Sequence, residues 1–140
     1  MTALDKEILA ERAAAVERHL KRVRECLPEK ESEFIAATNA SDAVILHLWQ
    51  AIQIIIDTAL SSCVYLHLGS PVSYADGFLK LGESGYLDKE LAVRLSHAAG
   101  FRNRIVHAYE DLDMQKIYKI AHTGPSDLKA FLASASNWLS

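Results

Sequence analysis

A chain of 140 residues, half of them hydrophobic and 24% charged, has the length and composition of one soluble domain with its own core, spanning residues 1–140. Its formal net charge of −3 excludes nucleic-acid binding driven by overall charge, so any RNA contact has to come from a local basic patch. The two cysteines, Cys26 and Cys63, sit in apolar helical patterns and match no zinc spacing; they read as buried free thiols of a cytoplasmic protein.

The first stretch, "MTALDKEILAER", is charged and amphipathic, unlike a secretory signal. Leu4, Ile8, Leu9, Ala13, Val16, Leu20, Val23 and Leu27 recur at helical spacing and predict a first helix, which Pro28 ends. A short helix or turn covers Glu29 to Ala40. Ser41 or Asn39 is the expected N-cap of a long second helix, Asp42 to Leu68, about 40 Å in length. Its apolar run, Ala43 to Leu68, could span a bilayer by length. Asp57 near mid-span, with His47, Gln50 and Gln53, makes it read instead as a buried helix of a soluble protein with no membrane contact. Gly69 and Pro71 break it, and Ser73 caps a short helix, Tyr74 to Gly82. Asp88 caps the next, Lys89 to Ala99, and Gly100 predicts a break or bend. Asp111 or Asp113 caps a helix running to His122, "HTGPSD" punctuates it, and a last helix covers Asp127 to Leu139. The pattern is all-α, an up-and-down helical bundle with no repeat and no linker.

The second helix is apolar nearly all round, so a second subunit is expected to cover part of it. Yet His47, Gln50, Gln53, Asp57 and Ser61 form one polar stripe along the rod. Such a stripe either faces water or a satisfied internal network, or lines a cleft or subunit contact.

Chemistry concentrates in "RNRIVHAYEDLD". Arg102 and Arg104 offer planar charged forks suited to phosphate. His107 belongs to the one residue type suited to giving or taking a proton near neutral pH. Asn103 can orient a neighbour, and Tyr109 offers a phenol hydroxyl. The cluster has no convergent carboxylates, so metal-assisted phosphoryl transfer is the less natural use of it. On an ideal helix Arg102 and His107 lie about 140° apart, whereas Asn103 shares a face with His107 and Arg102 with Tyr109. Convergence of Arg102 and His107 needs a bend at Gly100, a long reach by the arginine, or a second copy of the chain. Solvated charges and a packed ring are the competing structural account of the same residues.

The arrangement Arg102, Asn103, His107, Tyr109 resembles the motif of the HEPN superfamily, and within it the HepT-like toxins. The similarity extends to "IDTALSSCVYLHLG", with Asp57 and His67, to "PVSYADGFLKLGESGYL", and to "GPSDLKAFL". The resemblance implies a HEPN-type bundle that forms a twofold homodimer, with the motif at a cleft between subunits. It implies a toxin with metal-independent ribonuclease activity and no cofactor. It also implies a partner, a small nucleotidyltransferase antitoxin that silences the toxin by transferring AMP to Tyr109. In such a ribonuclease the RNA's own 2′-hydroxyl is the nucleophile, leaving a 2′,3′-cyclic phosphate. Arg102 would hold the scissile phosphate and His107 would move the proton. Asn103 would fix the imidazole or touch phosphate. Arg104 and Lys116 would attract the RNA backbone. Asp57 would orient the site from the second helix, or serve only as a helix–helix hydrogen bond. The rival accounts are a non-catalytic dimeric module that docks a nucleotidyltransferase or a nucleotide, and a bundle whose motif only stabilises the dimer.

Overall fold

The computed structural model describes residues 4–139; residues 1–3 and 140, the ends of the expected 1–140 domain, lie outside the described residues. Five helices follow one another: α1 Lys6–Cys26, α2 Asn39–Tyr65, α3 Tyr74–Glu83, α4 Lys89–His107 and α5 Met114–Ser136. Single 3-10 turns occupy Glu31–Glu33 and Tyr109–Asp111, and there is no strand among the described residues. The all-α bundle expected from the periodicity is what forms.

α2 is its axis. It packs most extensively on α1 and also touches α3, α4 and α5, while α3 and α4 form a second close pair. The helix is long and apolar enough to cross a membrane by length and composition, yet half of its most apolar window is buried inside the bundle. Val44, Leu48, Ile52, Ile55, Ile56 and Ala59 point into the core. Phe78 of α3 and Phe131 of α5 close the core from the other side, edge to face with ring centroids 5.8 Å apart. Cys63 is buried as expected, but Cys26 is only half-buried, because it is the last residue of α1, where the core face runs out; both thiols are free.

The helix starts follow side-chain caps. Ser73 accepts from the Asp76 amide and Asp88 from the Leu91 amide, as the sequence predicts. α2 differs. Its cap is Thr38, neither Ser41 nor Asn39: Thr38 Oγ1 accepts from the Ser41 amide at 3.1 Å and Ser41 Oγ accepts from the Thr38 amide at 3.0 Å. The serine is therefore the return half of a capping box, and the helix begins a turn earlier than expected. It also ends at Tyr65 rather than Leu68, because His67 turns the chain with a φ of 59°. Of the two candidate caps for α5, Asp113 serves, accepting from the amides of Gln115 and Lys116, and Asp111 belongs to the preceding 3-10 turn.

Two expected breaks are absent. α4 runs on through Gly100 to His107, with buried residues on both sides of the glycine, Leu95 and Ala99 before it and Phe101 and Ile105 after it. A single interior glycine costs about 1 kcal/mol, less than that burial returns. α5 runs through Pro125 as one helix in place of the two expected. Gly124, with no Cβ, removes the usual clash with a following proline ring. Ile117, Ala121, Leu128, Phe131 and Ala135 form one buried face spanning the proline.

Two of the helical glycines, Gly82 and Gly100, should respond oppositely to alanine. A Cβ at Gly82 would stand 2.7 Å from the Ala92 Cβ, where α3 and α4 nearly touch, whereas one at Gly100 meets nothing within 4 Å. Gly82→Ala is expected to lower the unfolding free energy by about 1–3 kcal/mol. Gly100→Ala is expected to raise it by about 0.5–1 kcal/mol. Urea denaturation of both variants checks this, and destabilisation by Gly100→Ala would mean that α4 needs flexibility there.

Candidate active site

The motif occupies the last two turns of α4 and the 3-10 turn after it. Arg102 leaves α4 and reaches α2, where its Nε donates to Gln53 Oε1 at 2.6 Å. Gln53 Nε2 in turn donates to Asp57 Oδ1 at 3.0 Å. A carboxylate only accepts, so Asp57 sets which end of the Gln53 amide faces the arginine. Arg102 Nη1 donates to Asn103 Oδ1 at 3.1 Å, and the guanidinium carbon lies 5.1 Å from the Tyr74 ring centroid. Two of five guanidinium N–H groups are thus engaged among the described residues, and three remain for an anion.

Asp57 is thus linked to Arg102 from the second helix by way of Gln53. Sequence reasoning noted Gln53 only as one member of a polar stripe, and it passed over Tyr74 as a site residue. The signal for Gln53 was its spacing of four from Asp57, which puts both on one face of α2. The stripe itself divides. Gln53 and Asp57 join Arg102, Ser61 is buried, and the His47 ring turns to α1, its Nδ1 3.0 Å from that of His19. Burial and the nearby His47 and Arg18 charges hold the His19 pKa below its ordinary value.

His107 is exposed as the last residue of α4 and has no hydrogen-bond partner among the described residues. Since α4 stays helical from Arg102 to His107, the two diverge by about 140°. One protomer does not bring them together. Asn103 shares a helical face with His107, but its Oδ1 is taken by the adjacent guanidinium, a charged donor that competes better than a neutral imidazole.

Tyr109 lies beyond the helix, in the 3-10 turn, so the expected helical face shared with Arg102 does not exist. Its hydroxyl donates to Asp42 Oδ1 at 2.8 Å, in the first turn of α2. The side chain is 48% exposed. The bond to the Asp42 carboxylate, with partial burial and the carboxylate's charge, raises the phenol pKa above its usual value. Asp42 and Gln53, the anchors of Tyr109 and Arg102, are separated by about 16 Å of helical rise along α2.

Arg104 points elsewhere, about 200° round the helix from Arg102. With Lys116 it lines a cleft of about 760 Å³ between α4 and α5, joined by Arg94 and Lys119 over a floor that includes Leu48, Ile52 and Phe101. Arg94 is paired with Asp127 at 3.1 Å. Arg104, Lys116 and Lys119 have no carboxylate within ion-pair distance among the described residues. The sequence-predicted residues thus fall into three groups: Arg102 with Asn103 and Asp57, Tyr109 with Asp42, and Arg104 with Lys116. His107 stands apart from all three. No group of three or more His, Cys, Asp or Glu residues is placed to hold a metal ion among the described residues.

The family description "Ribonuclease HepT-like" matches residues 16–135. An mRNA nuclease HepT of Shewanella oneidensis is 26% identical over 126 residues, 90% of this chain and 94% of that protein. A tRNA nuclease HepT of Aphanizomenon flos-aquae is 34% identical over 53 residues, only 38% of this chain and 36% of that protein. Among solved structures, the tri-AMPylated HEPN toxin of Shewanella oneidensis, in complex with its MNT antitoxin, superposes with a TM-score of 0.86 at 25% identity. That match covers 94% of this chain and 98% of the toxin chain. YutE, a cytosolic protein of Bacillus subtilis, superposes at 0.79 with 16% identity over 99% of this chain and 92% of its own, and shares the fold.

The Tyr109–Asp42 bond carries its own test. The Tyr109 phenol should titrate above the ordinary tyrosine value, and Asp42→Asn should bring it down, since a neutral amide holds the phenolic proton less firmly than a carboxylate. Nuclear magnetic resonance of ring-labelled tyrosine across alkaline pH reads this directly. An unchanged titration in the variant would contradict the assigned cause.

Proposed function

The chain belongs to the HepT-like ribonuclease family, and on that premise we propose that it is an endoribonuclease toxin whose residues 1–140 act as a single domain. It works as a twofold homodimer in the cytoplasm and is silenced by AMP transfer to Tyr109 from a cognate nucleotidyltransferase antitoxin. The observation that carries the reading is the posture of Arg102. Its guanidinium is held by Gln53 and Asn103 and stacked near Tyr74, with three donors turned to no protein partner among the described residues. That is a ready-made phosphate fork.

The divergence of Arg102 and His107 supports a site shared between protomers, one contributing the arginine and the other the histidine. Leu46 on α2 and Val106 on α4 are each 45% exposed close in sequence to site residues, and a partner chain would cover them. Arg102 binds the scissile phosphate and stabilises its additional transition-state charge. His107 takes the proton from the RNA 2′-hydroxyl or supplies one to the leaving 5′-oxygen. The 2′-oxygen attacks phosphorus, the 5′-oxygen leaves, and the upstream fragment ends in a 2′,3′-cyclic phosphate. No residue role requires a metal ion. Arg104 and Lys116, with Lys119, draw the flanking RNA backbone into the α4–α5 cleft.

Silencing follows from α2. Asp42, Leu46, Gln50 and Gln53 fall within about 80° of one another round the helix, so they form one track. An adenylyl group on Tyr109 starts at the Asp42 end and extends along that track toward Arg102, adding negative charge and bulk where RNA must enter. Successive additions would bring it nearer the guanidinium.

The purified protein is expected to cleave single-stranded RNA in EDTA. Arg102→Ala and His107→Ala should each reduce the rate by about two to four powers of ten, with little change in melting temperature. Incubation with the antitoxin, ATP and magnesium should add AMP to the wild type, seen by intact mass, and none to Tyr109→Phe. Full activity of His107→Ala, or a modified protein that still cuts RNA, contradicts the reading.

A further inference from the structure

We propose that Asp42 is the proton acceptor for Tyr109 when its hydroxyl is adenylylated, so that the modified protein supplies the base for its own modification. The inference rests on the silencing just described and assigns a residue that neither the motif nor the comparisons point to.

Tyr109 Oη attacks the α-phosphorus of a nucleoside triphosphate presented with its divalent cation by the transferase. The Oη–P bond forms and the bond from the α-phosphorus to the bridging oxygen breaks. Pyrophosphate leaves with that electron pair, and the phenolic proton passes to the Asp42 carboxylate and on to water. Asp42 Oδ1 already accepts this proton's hydrogen bond at 2.8 Å in the resting protein. No rearrangement is needed to begin transfer.

A phenol needs such help. Its ordinary pKa near 10 leaves on the order of a thousandth ionised at pH 7, so it must lose its proton as the new bond forms. Here the same carboxylate that holds the proton raises the phenol pKa further, which makes prior ionisation rarer still. The carboxylate is available for the task, since no lysine, arginine or histidine lies within ion-pair distance of Asp42 among the described residues. The titratable neighbours of Tyr109 in the chain are His107, Glu110 and Asp111. Access is open, because Tyr109 is 48% exposed and Asp42 is exposed beside it.

The competing role is an anchor that ties the 3-10 turn to α2, and it is separable. Asp42→Asn keeps an acceptor oxygen for the phenol but does not take up a proton at neutral pH. Initial AMP-transfer rates to the full chain, by intact mass with the cognate transferase, ATP and magnesium from pH 6 to 9.5, decide the matter. The account expects Asp42→Asn to be slowed about 100-fold at pH 7. Its rate should climb about tenfold per pH unit toward phenol ionisation, closing on the wild type at high pH. Asp42→Glu should recover part of the loss. A wild-type rate in Asp42→Asn overturns the inference, since the transferase then brings its own base. An equal loss at every pH overturns it in favour of the anchor, and a loss confined to His107→Ala overturns it in favour of the histidine. If the wild type itself takes no AMP, the silencing reading fails first and this inference with it.

Discussion

The buried length of α2 is the constraint on which the rest of the structure depends. An apolar rod of 27 residues has to be enclosed, and four other helices are placed to do it. Its polar groups have to be accommodated in the same operation. Ser62 and Thr58 solve this locally, their hydroxyls donating to carbonyls four residues earlier at 2.7 and 2.8 Å. Gln53 and Asp57 solve it by facing the edge of the bundle where α4 passes, and there they meet Arg102. The enclosure of α2 and the orientation of the guanidinium are one event.

Magnitudes favour a guanidinium that is set before any substrate arrives. Fixing an arginine costs about 2 kcal/mol of rotamer entropy. A hydrogen bond to a charged group returns about 1.5–3 kcal/mol, and a ring beneath the cation adds roughly 0.5–1 kcal/mol at an exposed site. Arg102 has two such bonds and the Tyr74 ring, so the balance lies on the side of order even after allowance for its partial exposure. Asp57 contributes without touching the arginine. It orients the Gln53 amide, and the amide orients the fork. His107 has no comparable support, which fits a group whose proper surroundings are completed by a second protomer.

Much of this was legible in the sequence, for reasons that differ from element to element. Ser73 and Asp88 are isolated short polar residues ahead of apolar periodicity, and each caps as its type predicts. Arg102, His107 and Tyr109 were visible as a motif. The errors come where tertiary packing outweighs local preference. Gly100 and Pro125 look like breaks, but each lies on a helix that keeps buried residues on both sides of it. The end of α4 at His107, with Ala108 turning at φ −145°, removes Tyr109 from the helical wheel on which it had been placed. No periodicity argument reports that, because it is a change of backbone direction. Likewise Asp42 and Tyr109 are 67 residues apart, and only the packing of the α4–α5 connection against the start of α2 joins them.

The central claim is that Arg102 of one protomer and His107 of the other make one site, because a continuous α4 keeps them apart within each chain. Differently tagged Arg102→Ala and His107→Ala chains, co-expressed and purified through both tags, give a mixed dimer that tests it. If the site is shared, one of the two twofold-related sites in that dimer regains both native residues. It should then cut RNA at about half the wild-type rate, although each parent homodimer is inactive. A mixed dimer as inactive as its parents would contradict the claim and put the arginine and the histidine to work within a single chain.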